Sequence, residues 1–414
     1  MSKTPWDEPG RFFTSPWNHL PEARARLGFP PLVRFHDVTL RDGEQQAGVA
    51  FSPDDKVAIA RGLADAGVDR IEAGMPIASQ QDEAAVKAIV DADLEPEIFA
   101  FCRCMVADVE KAKECGVGGV VVEIPSSAHI IDRAYGWPPE RAIELSIEAT
   151  LAAKEAGLYT VYFTIDSSRA EFDWYLDLVT RVAEEGHMDA LGLVDTFGGV
   201  APQAIPVWVA KVRERLPETP LEAHFHDDFG LAVANSIAAL AAGVEVVHTT
   251  VTGLGERAGN TAMEQLALAL TMLYGAEHNL DNRRFYPLSR LVRERAGHLV
   301  PSNRPVVGDR LFEVESGIIA GWYERCVEEH PTELFPYHWD EVGQPPGRVV
   351  YGKGSGLPSI SVALAALGID ADEEEMRALL AEVKARGLET KSLLPIEEVA
   401  RLAGERRQPL VARG

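Results

Sequence analysis

The sequence is poor in cysteine. Its 414 residues include four cysteines, of which Cys102 and Cys104 are one residue apart while Cys115 and Cys326 stand alone. No second pair follows to complete a zinc site, and four scattered cysteines are too few for a disulfide framework. We therefore expect free thiols in a reducing compartment, and hence a cytoplasmic protein.

Positive charge is also in short supply. The chain has 40 Lys and Arg residues against 64 Asp and Glu, which leaves a formal net charge of −24. Nucleic-acid binding depends on cations that neutralise phosphates, and anionic membranes attract polybasic segments. Residues 1–17 carry charges and prolines where a secretory signal has an apolar core, and no apolar stretch approaches the ~20 residues of a membrane span. The composition predicts no nucleic-acid and no membrane partner.

No glycine-rich nucleotide motif of the GxGxxG or Walker type follows any apolar run, which disfavours a doubly wound sheet. From residue 32 to about residue 274, eight short apolar runs alternate instead with amphipathic stretches, several of which end at Gly. Ser52, followed by Pro53, is typical of a helix start. We predict an α/β fold, a (β/α)8 TIM barrel. The eight runs are LVRFHDVTL, DRIEAG, EIFAF, GGVVVEI, YTVYFTI, ALGLVD, LEAHFH and VEVVHTTV.

The alternation divides the chain into three predicted parts. Residues 1–31 form an N-terminal arm, rich in proline and aromatic residues, that we expect to lie against a surface of this chain or of a partner. Residues 32–278 form the barrel. Residues 279–414 form a smaller, mainly helical appendage, with helical patterns near residues 312–324, 370–386 and 395–403.

Candidate metal ligands lie at the ends of the first and seventh apolar runs. Active residues of such barrels sit at the C-terminal ends of strands. The first run ends with Arg41 and Asp42, and the seventh contains Glu222, His224 and His226 at alternate positions, so these three side chains face one way. Two imidazoles and a carboxylate suit a divalent Lewis-acid metal.

Three motifs resemble those of the metal-dependent Claisen and aldol barrels. They are DVTLRDGEQ, the HxHxD of the seventh run, and GLGERAGN, whose glycines allow a tight turn. The family includes 2-isopropylmalate, homocitrate and citramalate synthases and, more distantly, hydroxymethylglutaryl-CoA lyase. IEAGMPIASQQD and VDTFGG are similar to further family segments, as are NRPVVGDRLFEVESGI and VVYGKGSG in the appendage of acyl-transferring members.

The resemblance implies roles for individual residues. Arg41 would stabilise the alkoxide that develops on a 2-oxo acid, and Glu256 would orient Arg41 or its neighbours. Thr196 would hold the substrate carboxylate. The implied ligands of a divalent metal (Mg²⁺, Mn²⁺ or Zn²⁺) are Asp42, His224, His226 and Asn260. The predicted substrate-binding residues are Gln45, Glu72, Arg103, Asp166 and Thr196.

The appendage departs from the family pattern. Acetyl-CoA-condensing members usually carry His-Glu-Ser-Gly-Ile-His, where this chain has an apolar residue at both histidine positions, the second being Ile319. Gly354 also replaces a histidine, and Asp227 stands where those members commonly have Asn. An acyl-CoA α-proton needs a positioned base, for which Tyr337 and His338 are the predicted residues.

Three functions remain open at this stage. The first is an acyltransferase that condenses acetyl-CoA or another acyl-CoA with a 2-oxo acid, for which Glu123 and Arg103 favour a polar or acidic substrate. The second is a lyase or aldolase that cleaves a 2-hydroxy acid or its CoA ester. The third is a non-catalytic paralogue that binds metal. The resemblance also implies a homodimer.

Overall fold

A closed barrel of parallel strands forms the centre of the computed structural model, which describes residues 4–407. Strands β3 to β10 close the barrel in chain order, with β10 pairing β3. Each of the eight predicted runs contributes one strand, which confirms the predicted (β/α)8 barrel. The strands are β1 (Asp7–Glu8), β2 (Phe12–Phe13), β3 (Arg34–Asp37), β4 (Arg70–Glu72), β5 (Glu97–Arg103), β6 (Gly119–Pro125), β7 (Tyr159–Ile165), β8 (Ala190–Asp195), β9 (Leu221–Phe225), β10 (Val246–Thr249), β11 (Glu313–Val314) and β12 (Arg348–Val349).

Helices follow the barrel strands and continue into the C-terminal region. Helix α2 begins where predicted: the Ser52 hydroxyl accepts from the Asp55 amide, and Pro53 occupies the first turn. The helices are α1 (Pro21–Arg24), α2 (Pro53–Ala66), α3 (Gln80–Asp91), α4 (Val106–Glu114), α5 (Ala128–Ile130), α6 (Pro139–Glu155), α7 (Phe172–Glu185), α8 (Ile205–Arg215), α9 (Ala232–Ala241), α10 (Met263–Ala269), α11 (Phe285–Ala296), α12 (Gly317–Cys326), α13 (Leu357–Leu367), α14 (Glu373–Thr390) and α15 (Ile396–Arg407).

The chain folds as two compact units. One is Trp17–Pro301, which contains the barrel; the other combines the chain up to Pro16 with the chain from Ser302 onward. In the second unit, β1 and β2 form a small antiparallel pair, and the Phe13 amide donates to the Pro336 carbonyl at 3.0 Å. The start of the predicted arm therefore lies on the C-terminal region of its own chain, whereas the boundaries at residues 31 and 278 stay predictions from pattern.

Three of the helices in the second unit, α12, α14 and α15, overlap the predicted helical patterns. Helix α13 lies outside those patterns, because its sequence LPSISVALAAL has no polar face to produce a helical period. Its start is held by the Ser359 hydroxyl, which accepts from the Gly356 amide at 3.0 Å.

Aromatic and aliphatic side chains fill part of the barrel interior. Phe99, Phe101 and Phe163 are buried there with valines and an alanine from β6, β7 and β8, as expected for the layered core of such barrels. Other inward positions carry buried polar groups, among them His36, Glu222 and His248. Within residues 4–407, no helix has the length and apolar character that a membrane crossing requires.

Candidate metal centre at the barrel mouth

A tight turn after β3 presents Arg41 and Asp42 at the C-terminal end of the barrel. The Arg41 amide donates to the Val38 carbonyl at 3.2 Å, and the Asp37 carboxylate accepts from the Thr39 amide at 2.9 Å. Burial raises the pKa of Asp37 to about 7. The buried Lys56 reaches the turn from α2 and donates to the Leu40 carbonyl at 2.9 Å. The turn is thus held from both sides.

Asp42, His224 and His226 bring three ligand atoms together. The His224 Nε2 atom lies 3.2 Å from Asp42 Oδ2 and 3.3 Å from His226 Nε2, and His226 Nε2 lies 3.9 Å from the same carboxylate oxygen. All three side chains are buried. They form one of the two His and carboxylate groups among the described residues whose ligand atoms lie within 4.8 Å of one another.

The electrostatics give these three residues the protonation states that a metal needs. Burial lowers the pKa of His224 to about 3 and also lowers that of His226, so both imidazoles are neutral. Burial opposes ionisation of Asp42, but the Arg41 guanidinium and the hydrogen bond with His224 outweigh it and hold the pKa of this carboxyl well below its usual range. Neutral imidazole and ionised carboxylate are the metal-binding forms.

Asn260 lies beside this group on the loop after β10. Its Nδ2 atom donates to Asp42 Oδ1 at 3.0 Å and to the Leu254 carbonyl, while its buried Oδ1 has no hydrogen-bond partner among residues 4–407. Gly259, at φ +89°, permits this packing, because a Cβ there would collide with the Gly253 carbonyl oxygen. Two imidazoles, a carboxylate and a spare amide oxygen fit a divalent cation.

Arg41 is held against the metal-ligand group with one nitrogen left over. Its Nε donates to Glu72 of β4, and its Nη1 donates to Asp42 at 3.1 Å and Gln45 at 3.3 Å. The guanidinium carbon lies 4.0 Å from the centre of the Phe101 ring. The buried Nη2 has no protein partner in the described part of the chain. A donor is therefore available beside Asp42.

Thr196 and Asp166 form a second polar group, on the loops after β8 and β7. The Thr196 hydroxyl oxygen accepts from the Asp166 amide at 2.8 Å, which leaves the hydroxyl proton free to donate. The buried Asp166, at φ +63°, accepts from Ser127 at 2.6 Å and from Arg169 at 2.6 Å, and lies 3.0 Å from His129. The Asp166 carboxylate is thus already bonded within the protein, and its part in substrate binding stays a prediction.

The other two predicted residues of the barrel unit lie in different surroundings. Glu256 is 55 % exposed and lies 3.7 Å from Arg257. The carboxylates that contact Arg41 are those of Glu72 and Asp42. Arg103 is 55 % exposed and donates twice to Asp108, at 2.8 and 3.0 Å. Arg103 and Glu123 line a cavity of about 200 Å³ at the ends of β5 and β6.

Tyr337 and His338 belong to the second compact unit. Tyr337 packs its ring 5.8 Å from that of Phe312, and burial raises the pKa of its phenol. The His338 Nδ1 atom accepts from the Asp340 amide at 3.3 Å and so caps a short helical turn. Only the Nε2 atom of His338 is left to take a proton.

Four buried residues around the centre were not predicted: His36, Lys56, Arg70 and His248. His36, Arg70 and His248 lie on barrel strands, and His248 lies 3.4 Å from the metal-ligand candidate His224, Nδ1 to Nδ1. Period-2 alternation within the apolar runs could have found the three strand residues, since it places inward residues two apart. It gives no signal for Lys56, which lies on α2.

The fold and this group of residues define a class: a (β/α)8 barrel with a candidate divalent-metal centre and a buried arginine at the C-terminal mouth. The model of the HMGL-like family matches residues 32–292, and this chain belongs to that family.

Comparisons with individual proteins agree with this membership. Homocitrate synthase AksA of Methanopyrus kandleri is 38 % identical over 366 residues, which cover 88 % of this chain and 90 % of that protein. The 2-isopropylmalate synthase of Methanocaldococcus jannaschii is 34 % identical over 372 residues, covering 88 % and 70 %. The solved HMG-CoA lyase of Bacillus subtilis matches with a TM-score of 0.60 at 22 % identity, covering 67 % of this chain and 98 % of that one, a likeness of fold.

Proposed function

We propose that this protein is a divalent-metal-dependent acyltransferase that condenses an acyl-CoA, with acetyl-CoA as the first candidate, with a 2-oxo acid. Two kinds of observation support the proposal. Relatives that cover most of the chain are named homocitrate, citramalate and 2-isopropylmalate synthases. The barrel mouth also carries ligands and a cation suited to a 2-oxo acid.

Asp42, His224 and His226 would hold the metal, with the spare Oδ1 of Asn260 as a fourth ligand. When bound, the metal supplies a Lewis acid that polarises the 2-oxo group. The chain prepares this arrangement by keeping both imidazoles neutral and Asp42 ionised.

The Nη2 atom of Arg41 is the single observation that carries the proposal. It is a buried donor without a protein partner in the described chain, and it belongs to a guanidinium that Glu72, Asp42 and Gln45 already fix in place. A fixed donor of this kind stabilises negative charge that develops on a substrate oxygen without reorganising during the reaction. In the condensation, that oxygen is the 2-oxo oxygen, which becomes an alkoxide.

The remaining barrel residues are assigned to the substrate. Thr196 would donate its free hydroxyl proton to the 2-oxo acid carboxylate. The cavity with Glu123 and Arg103 would take the rest of the substrate, and burial raises the pKa of Glu123 to about 7. Glu123 and Arg103 would meet a polar group of the substrate, whereas the rest of the lining, which includes Ile124, Trp137 and Leu145, is largely apolar.

For the base that removes the acyl-CoA α-proton, the candidates are Tyr337 and His338. We favour His338 over Tyr337, because the raised pKa of the Tyr337 phenol opposes formation of its basic form. His338 retains Nε2 as a proton acceptor while Nδ1 caps the helical turn. Retention of near wild-type kcat by His338→Ala would exclude this assignment.

A substrate screen tests the reaction. The protein is incubated with acetyl-CoA, a panel of 2-oxo acids and Mg²⁺, Mn²⁺ or Zn²⁺, and free CoA thiol is followed with a chromogenic disulfide. The proposal expects thiol release that depends on one 2-oxo acid. The product should be heavier than that acid by one acetic acid, because water hydrolyses the thioester of the condensed intermediate and frees CoA. Formation of a 2-oxo acid from a 2-hydroxy acid without thiol release would indicate a lyase instead.

Two further properties complete the proposal. We infer a homodimer, which light scattering of the purified protein would test as twice the 45.1 kDa chain mass. We also infer a cytoplasmic location, which fractionation of the source cells would test.

A further inference from the structure

A fully buried polar row runs through the barrel interior behind the metal-ligand candidate His224. It contains His248 of β10, Glu222 of β9 and Arg70 of β4, each at most 2 % exposed. Burying three polar groups is costly unless each is hydrogen-bonded, and these three are bonded to one another in series.

The hydrogen bonds of the row have one consistent direction. The Nε2 atom of His224 faces Asp42 and His226. When this Nε2 binds the proposed metal, the proton of the neutral ring is on Nδ1, which lies 3.4 Å from Nδ1 of His248 and can donate to it. His248 then carries its own proton on Nε2 and donates to Glu222 at 2.8 Å. The other Glu222 oxygen accepts from Arg70 at 2.7 Å.

His226 has no equivalent support. Its Nδ1 is buried and has no hydrogen-bond partner among the described residues. The two candidate histidine ligands therefore differ: the chain determines the tautomer and ring orientation of His224 but leaves those of His226 to packing.

A second metal site is the competing explanation, because His36, Glu222 and His248 also place three ligand atoms within 4.8 Å. Glu222 already accepts from Arg70 and His248, so a dication would have to displace a hydrogen bond beside a buried guanidinium. His36 remains 3.9 Å from Glu222. The charges favour the hydrogen-bonded row over a second ion.

We propose that His248 is a positioning residue for the metal centre: it accepts the Nδ1 proton of His224, and Glu222 and Arg70 hold it in the tautomer that can do so. The inference rests on the proposed metal site. A group that hydrogen-bonds to the second ring nitrogen of a ligand histidine orients that ring and raises its basicity. Loss of such a group commonly weakens metal binding by roughly 10–100-fold.

Two variants of similar size separate the contact of His248 with His224 from its contact with Glu222. In His248→Asn the amide oxygen can occupy the place of Nδ1 and still accept from His224. In His248→Gln the longer side chain reaches toward Glu222 but offers His224 no acceptor. We expect Asn to keep metal affinity within about threefold and Gln to weaken it by roughly 10–100-fold. The control is His36→Leu, which removes a neighbouring buried imidazole that has no hydrogen bond in the described chain.

The experiment titrates metal-free protein with Zn²⁺ or Co²⁺ against a competing chelator, and follows the visible spectrum of bound Co²⁺. Thermal unfolding without metal shows whether each variant folds. Weakened binding and an altered Co²⁺ spectrum in His248→Gln alone support the proposal. The proposal is overturned if the Asn and Gln variants bind metal with equal affinity, or if His36→Leu loses as much metal affinity as His248→Gln. Either result leaves the metal centre itself intact. Two bound ions per wild-type chain would establish the second site instead, and no bound ion would overturn the centre itself.

Discussion

Replacing Arg41 by lysine tests the proposed chemistry most directly. The guanidinium distributes its donors in three directions: Nε to Glu72, Nη1 to Asp42 and Gln45, and Nη2 to no described protein group. A lysine ammonium keeps the positive charge but concentrates its donors at one point on a flexible stem. It can hold the carboxylates or reach the substrate oxygen, but not both.

The expected loss follows from the number of substrate-directed donors. Arg41→Lys removes one preorganised donor, and removal of one such donor typically lowers kcat by about 10²–10³, or about 2.7–4 kcal/mol of transition-state stabilisation. The loss should fall on kcat more than on KM, because the charge that Arg41 stabilises develops only in the transition state. Metal affinity should change less than kcat, since the three candidate ligands remain.

Steady-state release of CoA thiol measures kcat and KM for both proteins under saturating metal. The matched control is Arg213→Lys, which alters an arginine paired with Glu245 at 3.2 Å on the other side of the barrel unit from the candidate ligands. A kcat for Arg41→Lys within threefold of wild type would refute the assignment of Nη2 to the developing alkoxide. A loss equal to that of the control would do the same.

Three further outcomes are expected. Arg70→Met should lower the free energy of unfolding in urea by about 3–5 kcal/mol, because it leaves buried Glu222 without its guanidinium. Glu123→Gln should raise the thermal midpoint at pH 8 but not at pH 4: folding raises the pKa of Glu123 from 4.5 to about 7, so the folded state binds the extra proton and wild-type stability falls as pH rises through that window. Chelation of the metal should lower the thermal midpoint of wild type but not of Asp42→Ala.

Each of these outcomes has its own check. Arg377→Met breaks an exposed pair with Glu373 and should cost less than about 1 kcal/mol; an equal cost for Arg70→Met would show that burial of the pair does not matter. An equal effect of Glu123→Gln at both pH values would remove its titration from the explanation. A midpoint of Asp42→Ala that still responds to chelator would place the metal elsewhere.

The barrel could be predicted from the sequence because its signal is repetitive. Eight apolar runs alternate with amphipathic helices, and each run overlaps one observed strand. Ser52 and Pro53 marked the start of α2 for a local reason, since capping depends on residues three apart. Helix α13 gave no such signal, because its sequence lacks the polar face that produces a helical period.

The candidate ligands could also be predicted, because His224 and His226 alternate on one strand and Asp42 follows another. The carboxylate that orients Arg41 could not. The resemblance implied that Glu256, which follows β10, orients Arg41 or its neighbours, whereas the carboxylates that contact Arg41 are Glu72 of β4 and Asp42. Strand β4 is the barrel neighbour of β3, from which the Arg41 turn emerges, and adjacency in a closed barrel is a tertiary property that no local motif contains.

The polar row behind His224 could not be predicted from local sequence either. Alternation alone predicts that Glu222 and His224 face one way, but it does not say which residue of β10 lies beside either of them. The register does: Val246 pairs Glu222 and Val247 pairs Ala223, so His248 comes level with His224. At this level the Nδ1 atom of His248 lies beside His224, and its Nε2 atom contacts Glu222 on the same neighbouring strand. Strand number and stagger together set this level in a closed barrel, so the support of a metal ligand depends on the whole ring of strands.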